Sequence, residues 1–94
     1  FLWGTTSWIG GAASCAPLEH HNVLEAALAN DFVTARQHMD KLLPLLRNME
    51  SGGYTQKVKL GCELRGIPVG NPRQPLLPLS AEDRAEFERI FKSI

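Results

Sequence analysis

A chain of 94 residues makes one domain at most, and a globule of this size buries a smaller share of its surface than a larger one, so its core is expected to be thin. Lys plus Arg and Asp plus Glu balance at 10 each, leaving no field of one sign to gather nucleic acid, an anionic membrane or an acidic substrate. Cys15 and Cys62 stand far apart, form no C-x-x-C pair and give neither a disulfide framework nor a zinc pattern, which points to a reducing, cytoplasmic setting.

The first 18 residues carry no charge. They are neither a signal peptide nor a membrane span, because Gly4, Thr5, Thr6, Ser7, Gly10 and Gly11 interrupt the apolar run. An apolar start without Met leads to the expectation that a further segment precedes Phe1. Ser7 to Gly10 reads as a short buried strand, with Trp8 and Ile9 as β-formers between glycines. Pro17 suits the first turn of a helix, which Leu24, Ala27 and Leu28 continue and which stops near Asn30.

Asp31 is placed to cap a second helix, whose Phe32, Ala35, Met39, Leu42, Leu43 and Leu46 share one face. Pro44 inside it predicts a kink or an early stop. Ser51-Gly52-Gly53 is a loop, and Thr55 to Arg65 is a third helix closed by Gly66. Val58, Leu60, Cys62 and Leu64 spread over more than one side of that helix, and Gly61 offers a close backbone approach. Four prolines between residues 67 and 79 make an extended connector pinned by Leu76, Leu77 and Leu79. Ser80 with Asp83 forms a capping box for a last helix striped by Phe87, Ile90, Phe91 and Ile94, with Glu88 placed to pair with Lys92. One strand cannot make a sheet, so partner strands must come from outside these residues or the strand does not form.

Few groupings point to chemistry. Gly10-Gly11 between strand and helix offers backbone amides to an anion, but small residues that let a loop pack tightly explain the pair as well. His20 and His21 are adjacent and point about 100° apart on a helix, so they cannot chelate together. His21 with Glu25 reads as a solvated helix face, and His38 as a surface or half-buried side chain. Lys57 is expected to lie along its own helix and Lys59 to pair with Glu63, leaving neither as a Schiff-base nucleophile. The two cysteines read as packed, inert thiols.

The order of strand, small-residue loop ending in Pro, helices and proline-rich connector resembles the C-terminal third of the dihydrodipicolinate synthase / N-acetylneuraminate lyase family. That family's G-A-D-G-V-I-S-V-x-A-N-V-A-P segment aligns without a gap, with Gly4, Ile9, Ala13, Ala16 and Pro17 coinciding. Asn30-Asp31 takes the place of its Gly-Asp turn, followed by Ala35 and Leu43-Pro44-Leu45. Lys57, Gly61 and Gly66 fall in its helix that carries a lysine and closes on glycine, and Arg73-Gln74-Pro75-Leu76-Leu77-Pro78-Leu79 resembles its R-x-P-L-x-P-L connector.

The resemblance implies an α/β fold. Residues 1–30 would be the last β/α unit of a (β/α)8 TIM barrel and residues 31–94 an appended helical region, the 94 residues themselves being mainly α. It implies a Schiff-base lyase or aldolase, or a dehydratase or deaminase, acting on pyruvate-like or hydroxylated 2-oxo acids, with no cofactor or metal, in a homotetramer. The imine lysine and its tyrosine partner would lie upstream, so no catalytic residue falls in this chain, and Ile9 and Gly10 would line the substrate pocket. Gly10 replaces the family's usual Ser, and Ser14 its usual Asn. The Gly4-Thr5-Thr6 run mimics the family's carboxylate-binding motif, but Ser7-Trp8 follows where Gly-Glu belongs. The Tyr54-Thr55-Gln56-Lys57 run resembles branches acting on hydroxylated 2-oxo acids or a pyrroline carboxylate. Two rivals remain: a non-catalytic helical interaction module that docks partners on apolar faces of the second and fourth helices, and a piece of a metal-dependent hydrolase built on the histidines.

Overall fold

The computed structural model describes residues 1–94 as four helices and a short 3₁₀ turn, arranged over 42 × 24 × 22 Å. After an irregular start, the 3₁₀ turn Gly11–Ser14 leads into α1 (Pro17–Leu28), α2 (Phe32–Glu50), α3 (Tyr54–Leu64) and, beyond the proline-rich connector, α4 (Ala81–Phe91).

The local signals place the helix ends. Pro17 opens α1, where its missing N–H costs nothing. At the other end Asn30 turns left-handed, with φ 58°. The Asn30 amide bonds the Ala27 carbonyl and the Asp31 amide the Ala26 carbonyl, a Schellman closure that satisfies two orphan carbonyls. Asp31 serves both neighbours, because its carboxylate also accepts from the Thr34 amide at 3.1 Å and starts α2. Gly66, with φ 85°, closes α3 in the same way, the Ile67 amide reaching the Cys62 carbonyl. Ser80 starts α4 by accepting from the Asp83 amide at 3.1 Å.

Each helix then contributes a buried edge. Leu42, Leu45 and Met49 of α2, Leu60 of α3, and Phe87 and Phe91 of α4 meet Ala12, Cys15 and Ala16 in one core. Gly61 allows the approach expected of it: a Cβ there would stand 2.8 Å from both Cβ and Sγ of Cys15. Val58, Cys62 and Leu64 pack against the core from further sides of α3, as their spread over that helix predicts.

Several expectations are corrected. The strand at Ser7 to Gly10 does not form: no residue of the chain is in a β-ladder, although Gly10 keeps extended angles of φ −132° and ψ 125°. The reason is the missing neighbour, since a lone strand has nothing to satisfy its amides and carbonyls. Pro44 does not stop α2, which runs on to Glu50. Pro44 and Asp40 both face solvent, so water can serve the Asp40 carbonyl that the proline leaves without a donor. Of the connector's leucines only Leu79 packs on the core, while Leu76 and Leu77 are exposed. The connector is held instead by Gln56 Nε2 donating to the Leu77 carbonyl at 2.9 Å and by Lys59 Nζ donating to the Val69 carbonyl at 3.3 Å. Lys59 therefore makes no pair with Glu63, and Glu88 none with Lys92. Arg84 takes both carboxylates, at 3.5 Å from Glu63 and 3.0 Å from Glu88.

Candidate functional site

The residues that the resemblance places at a pocket lie where the N-terminal segment meets α1 and α3. Ile9 is fully exposed at 100% of its possible surface, and Leu2 and Trp3 at the start of the same segment are exposed as well. Gly10 is half-buried under Trp8, whose ring nitrogen would stand 3.3 Å from a Cβ there. Gly11 lies against the Tyr54 ring so closely that any Cβ would collide with the hydroxyl, which is the tight loop packing expected of small residues.

His20 is the residue that sequence reasoning missed. It is buried, its ring lies 4.7 Å from that of Trp8 at 31°, and Nδ1 sits 2.7 Å from the Ala16 carbonyl. A carbonyl only accepts, so Nδ1 carries a proton, and Nε2 is buried without a partner. Helical spacing held a partial clue, because His20 precedes Val23 and Ala27 by three and seven residues on the buried edge of α1. His21 is by contrast on the solvated face, 3.3 Å from Glu25, and His38 is half-buried. No three His, Cys, Asp or Glu side chains gather closely enough to hold a metal.

Lys57 is corrected too. It is buried at 5% exposure and crosses to α2, where Nζ donates to the Asn48 carbonyl at 2.6 Å and approaches Ser51 Oγ at 3.4 Å. A cation at a helix C-terminus meets the negative end of the dipole, and here it joins the Ser51 amide and hydroxyl, which also donate to the Asn48 carbonyl. This lysine ties two helices together and is not free to act as a nucleophile.

Arg65 closes the far side of α1. It bonds Glu19 Oε1 at 2.5 Å and lies 5.0 Å from the Phe91 ring centre. Burial alone raises the Glu19 carboxyl, but the Arg65 hydrogen bond, a backbone hydrogen bond and the charges of Arg65 and His20 outweigh it and leave the group below its usual 4.5. A carboxyl held lower in the folded state stabilises the fold fully above its unfolded value, and that contribution is lost as pH falls through the folded value. Glu19→Gln is accordingly expected to lower the urea midpoint at neutral pH and to match the natural sequence once the pH falls below both values. A constant difference across that range would show that the pair contributes nothing through its charge.

Comparison with known proteins places this arrangement. Residues 1–94 match the model described as the dihydrodipicolinate synthetase family. A 4-hydroxy-tetrahydrodipicolinate synthase of Exiguobacterium sibiricum is 33% identical over 91 residues, covering 97% of this chain and 31% of that protein. The enzyme of the same name from a Synechococcus species is 40% identical over 72 residues, covering 77% of this chain and 24% of that protein. Among solved structures, Proteus mirabilis N-acetylneuraminate lyase superposes with a TM-score of 0.81 at 31% identity, covering 96% of this chain and 30% of that one. The chain thus spans about a third of the length of the relatives it matches.

Proposed function

The chain belongs to the dihydrodipicolinate synthetase family, and on that premise we propose that it is part of a lyase in which residues 1–30 supply the last β/α unit of a (β/α)8 barrel and residues 31–94 the helices appended to it. The observation that carries this reading is the state of the N-terminal segment. It is extended at Gly10, makes no backbone hydrogen bond over residues 5–9, and bears Ile9 wholly exposed, one 3₁₀ turn before the helix that starts at Pro17. Such a segment needs strands beside it, and the rest of the barrel would be their source. Ile9 and Gly10 would then stand at the C-terminal end of their strand, where barrel chemistry sits.

In this reading a lysine of the remaining barrel, assisted by a tyrosine, forms an imine with a pyruvate-like or hydroxylated 2-oxo acid. The iminium is a stronger electron sink than the parent ketone, so bonds next to it are made or broken at neutral pH. Condensation, cleavage, dehydration and deamination all draw on that one intermediate. This chain's part is to wall the pocket with Ile9 and Gly10 and to hold that wall in place through Trp8, His20 and Tyr54. Assembly as a homotetramer in the cytoplasm belongs to the same proposal, and no helix of the chain is long and apolar enough to cross a membrane.

The interaction-module reading needs apolar faces left open on α2 and α4. Those faces are spent on the chain's own core, with Leu42, Leu45, Met49, Phe87 and Phe91 buried together. The test of the imine is borohydride reduction of the full-length protein with pyruvate and with longer 2-oxo acids. One lysine of the barrel is expected to gain the reduced adduct, located by peptide mass. Absence of an adduct with every 2-oxo acid tried would remove the Schiff-base mechanism.

A further inference from the structure

The two thiols, far apart in sequence, lie on opposite sides of the seam between α3 and the turn before α1. Cys62 Sγ donates to the carbonyl of Ser14, the residue bonded to Cys15, at 3.6 Å. Approached from the other side, Gly61, the residue bonded to Cys62, lies so near that its Cβ position is 2.8 Å from Cys15 Sγ. Each sulfur therefore rests against backbone adjoining the other cysteine. Both are free thiols, and the bond each donates goes to a backbone carbonyl, Cys15 Sγ reaching Ala12 at 3.4 Å.

We propose that Cys15 and Cys62 are a modification site, joined as a disulfide by exchange with a small-molecule disulfide. Cys62 is half-buried and reacts first. It loses its proton, attacks one sulfur of the reagent and expels the other half as a thiolate. Cys15 then loses its proton, attacks Cys62 Sγ in place of the Ser14 contact and expels the second half. One disulfide is reduced to two thiols while the cysteine pair is oxidised, so electrons and protons balance.

The second step is the slower one. Burial first, then Cys62 and the charge of Glu19 of α1, push the Cys15 thiol up to about 11 against the lowering effects of a backbone hydrogen bond and of Arg65 just beyond α3. Below that value the thiolate fraction, and with it the rate of the second step, grows about tenfold per pH unit. The cross-link would tie the Gly11–Ser14 turn covalently to α3, where packing and the Cys62 contact with the Ser14 carbonyl now hold it. It rests on the placement of the thiols and stands whether or not the imine reading does.

The experiment treats the reduced, full-length protein with the aromatic disulfide 5,5′-dithiobis(2-nitrobenzoate), follows release of the coloured thiolate, and maps peptides without reduction. The natural sequence is expected to release two thiolates from this pair, the second more slowly and with the tenfold dependence on pH, and to yield a Cys15–Cys62 peptide that dithiothreitol separates. Cys62→Ser, at a half-exposed position, should abolish both releases from this pair, and Cys15→Ala should keep the reagent on Cys62. A single release with the reagent retained on Cys62 in the natural sequence overturns the proposal, and so does a folded protein in which neither thiol reacts.

Discussion

Phe87→Ala is expected to cost about 3–5 kcal/mol of stability, the range for removing a buried aromatic ring. Phe87 is 0% exposed, stacks on Phe91 with ring centres 5.6 Å apart, and shares the core with Leu42, Leu45 and Met49. It is also a principal anchor of α4, whose other face is charged. Removing it leaves a cavity between α2, α3 and α4 that rigid helices close only in part. The readout is the urea midpoint of the full-length protein, with protease cleavage in the 67–80 connector as a second measure of α4 undocking. A loss below about 1 kcal/mol, as for a surface site, would contradict the burial of this ring.

Gly61→Leu is also expected to destabilise, for the opposite reason. Glycine within a helix normally forfeits about 1 kcal/mol relative to alanine, so propensity alone favours replacement. Space decides against it. The first carbon added would stand 2.8 Å from Cys15 Cβ and Sγ and 3.3 Å from Phe91 Cε2, and Cys15 is a short side chain on a buried turn with no far end to swing away. Alanine should therefore destabilise despite its propensity, and leucine by about 1–3 kcal/mol or more as α3 is driven off the turn before α1. Cys15→Ala in the Gly61→Ala background should restore only part of the loss, because the Cβ contact remains. A Gly61→Ala protein more stable than the natural one would show that α3 does not sit this close.

What the sequence determined by itself is local. Pro17, Asn30, Asp31, Gly66 and Ser80 mark helix ends because capping is settled within a few residues of chain, and the helices begin and end where those residues stand. Apolar spacing likewise identified Phe87 and Phe91 as the buried edge of α4, and Gly61 as a point of close approach. Family membership was legible from the same run of residues, because the matching positions are spread over the whole chain. Only the tertiary structure decided which polar groups go inside and whom they meet. Lys57 is buried against the end of α2, His20 lies under Trp8, Arg84 draws in Glu63, and Cys15 adjoins Gly61, each through a partner from another part of the chain. The strand expected at Ser7 to Gly10 shows the same division most sharply. Trp8 and Ile9 carry the preference for extended backbone, but a strand exists only as one side of a ladder, and no second side lies within these residues.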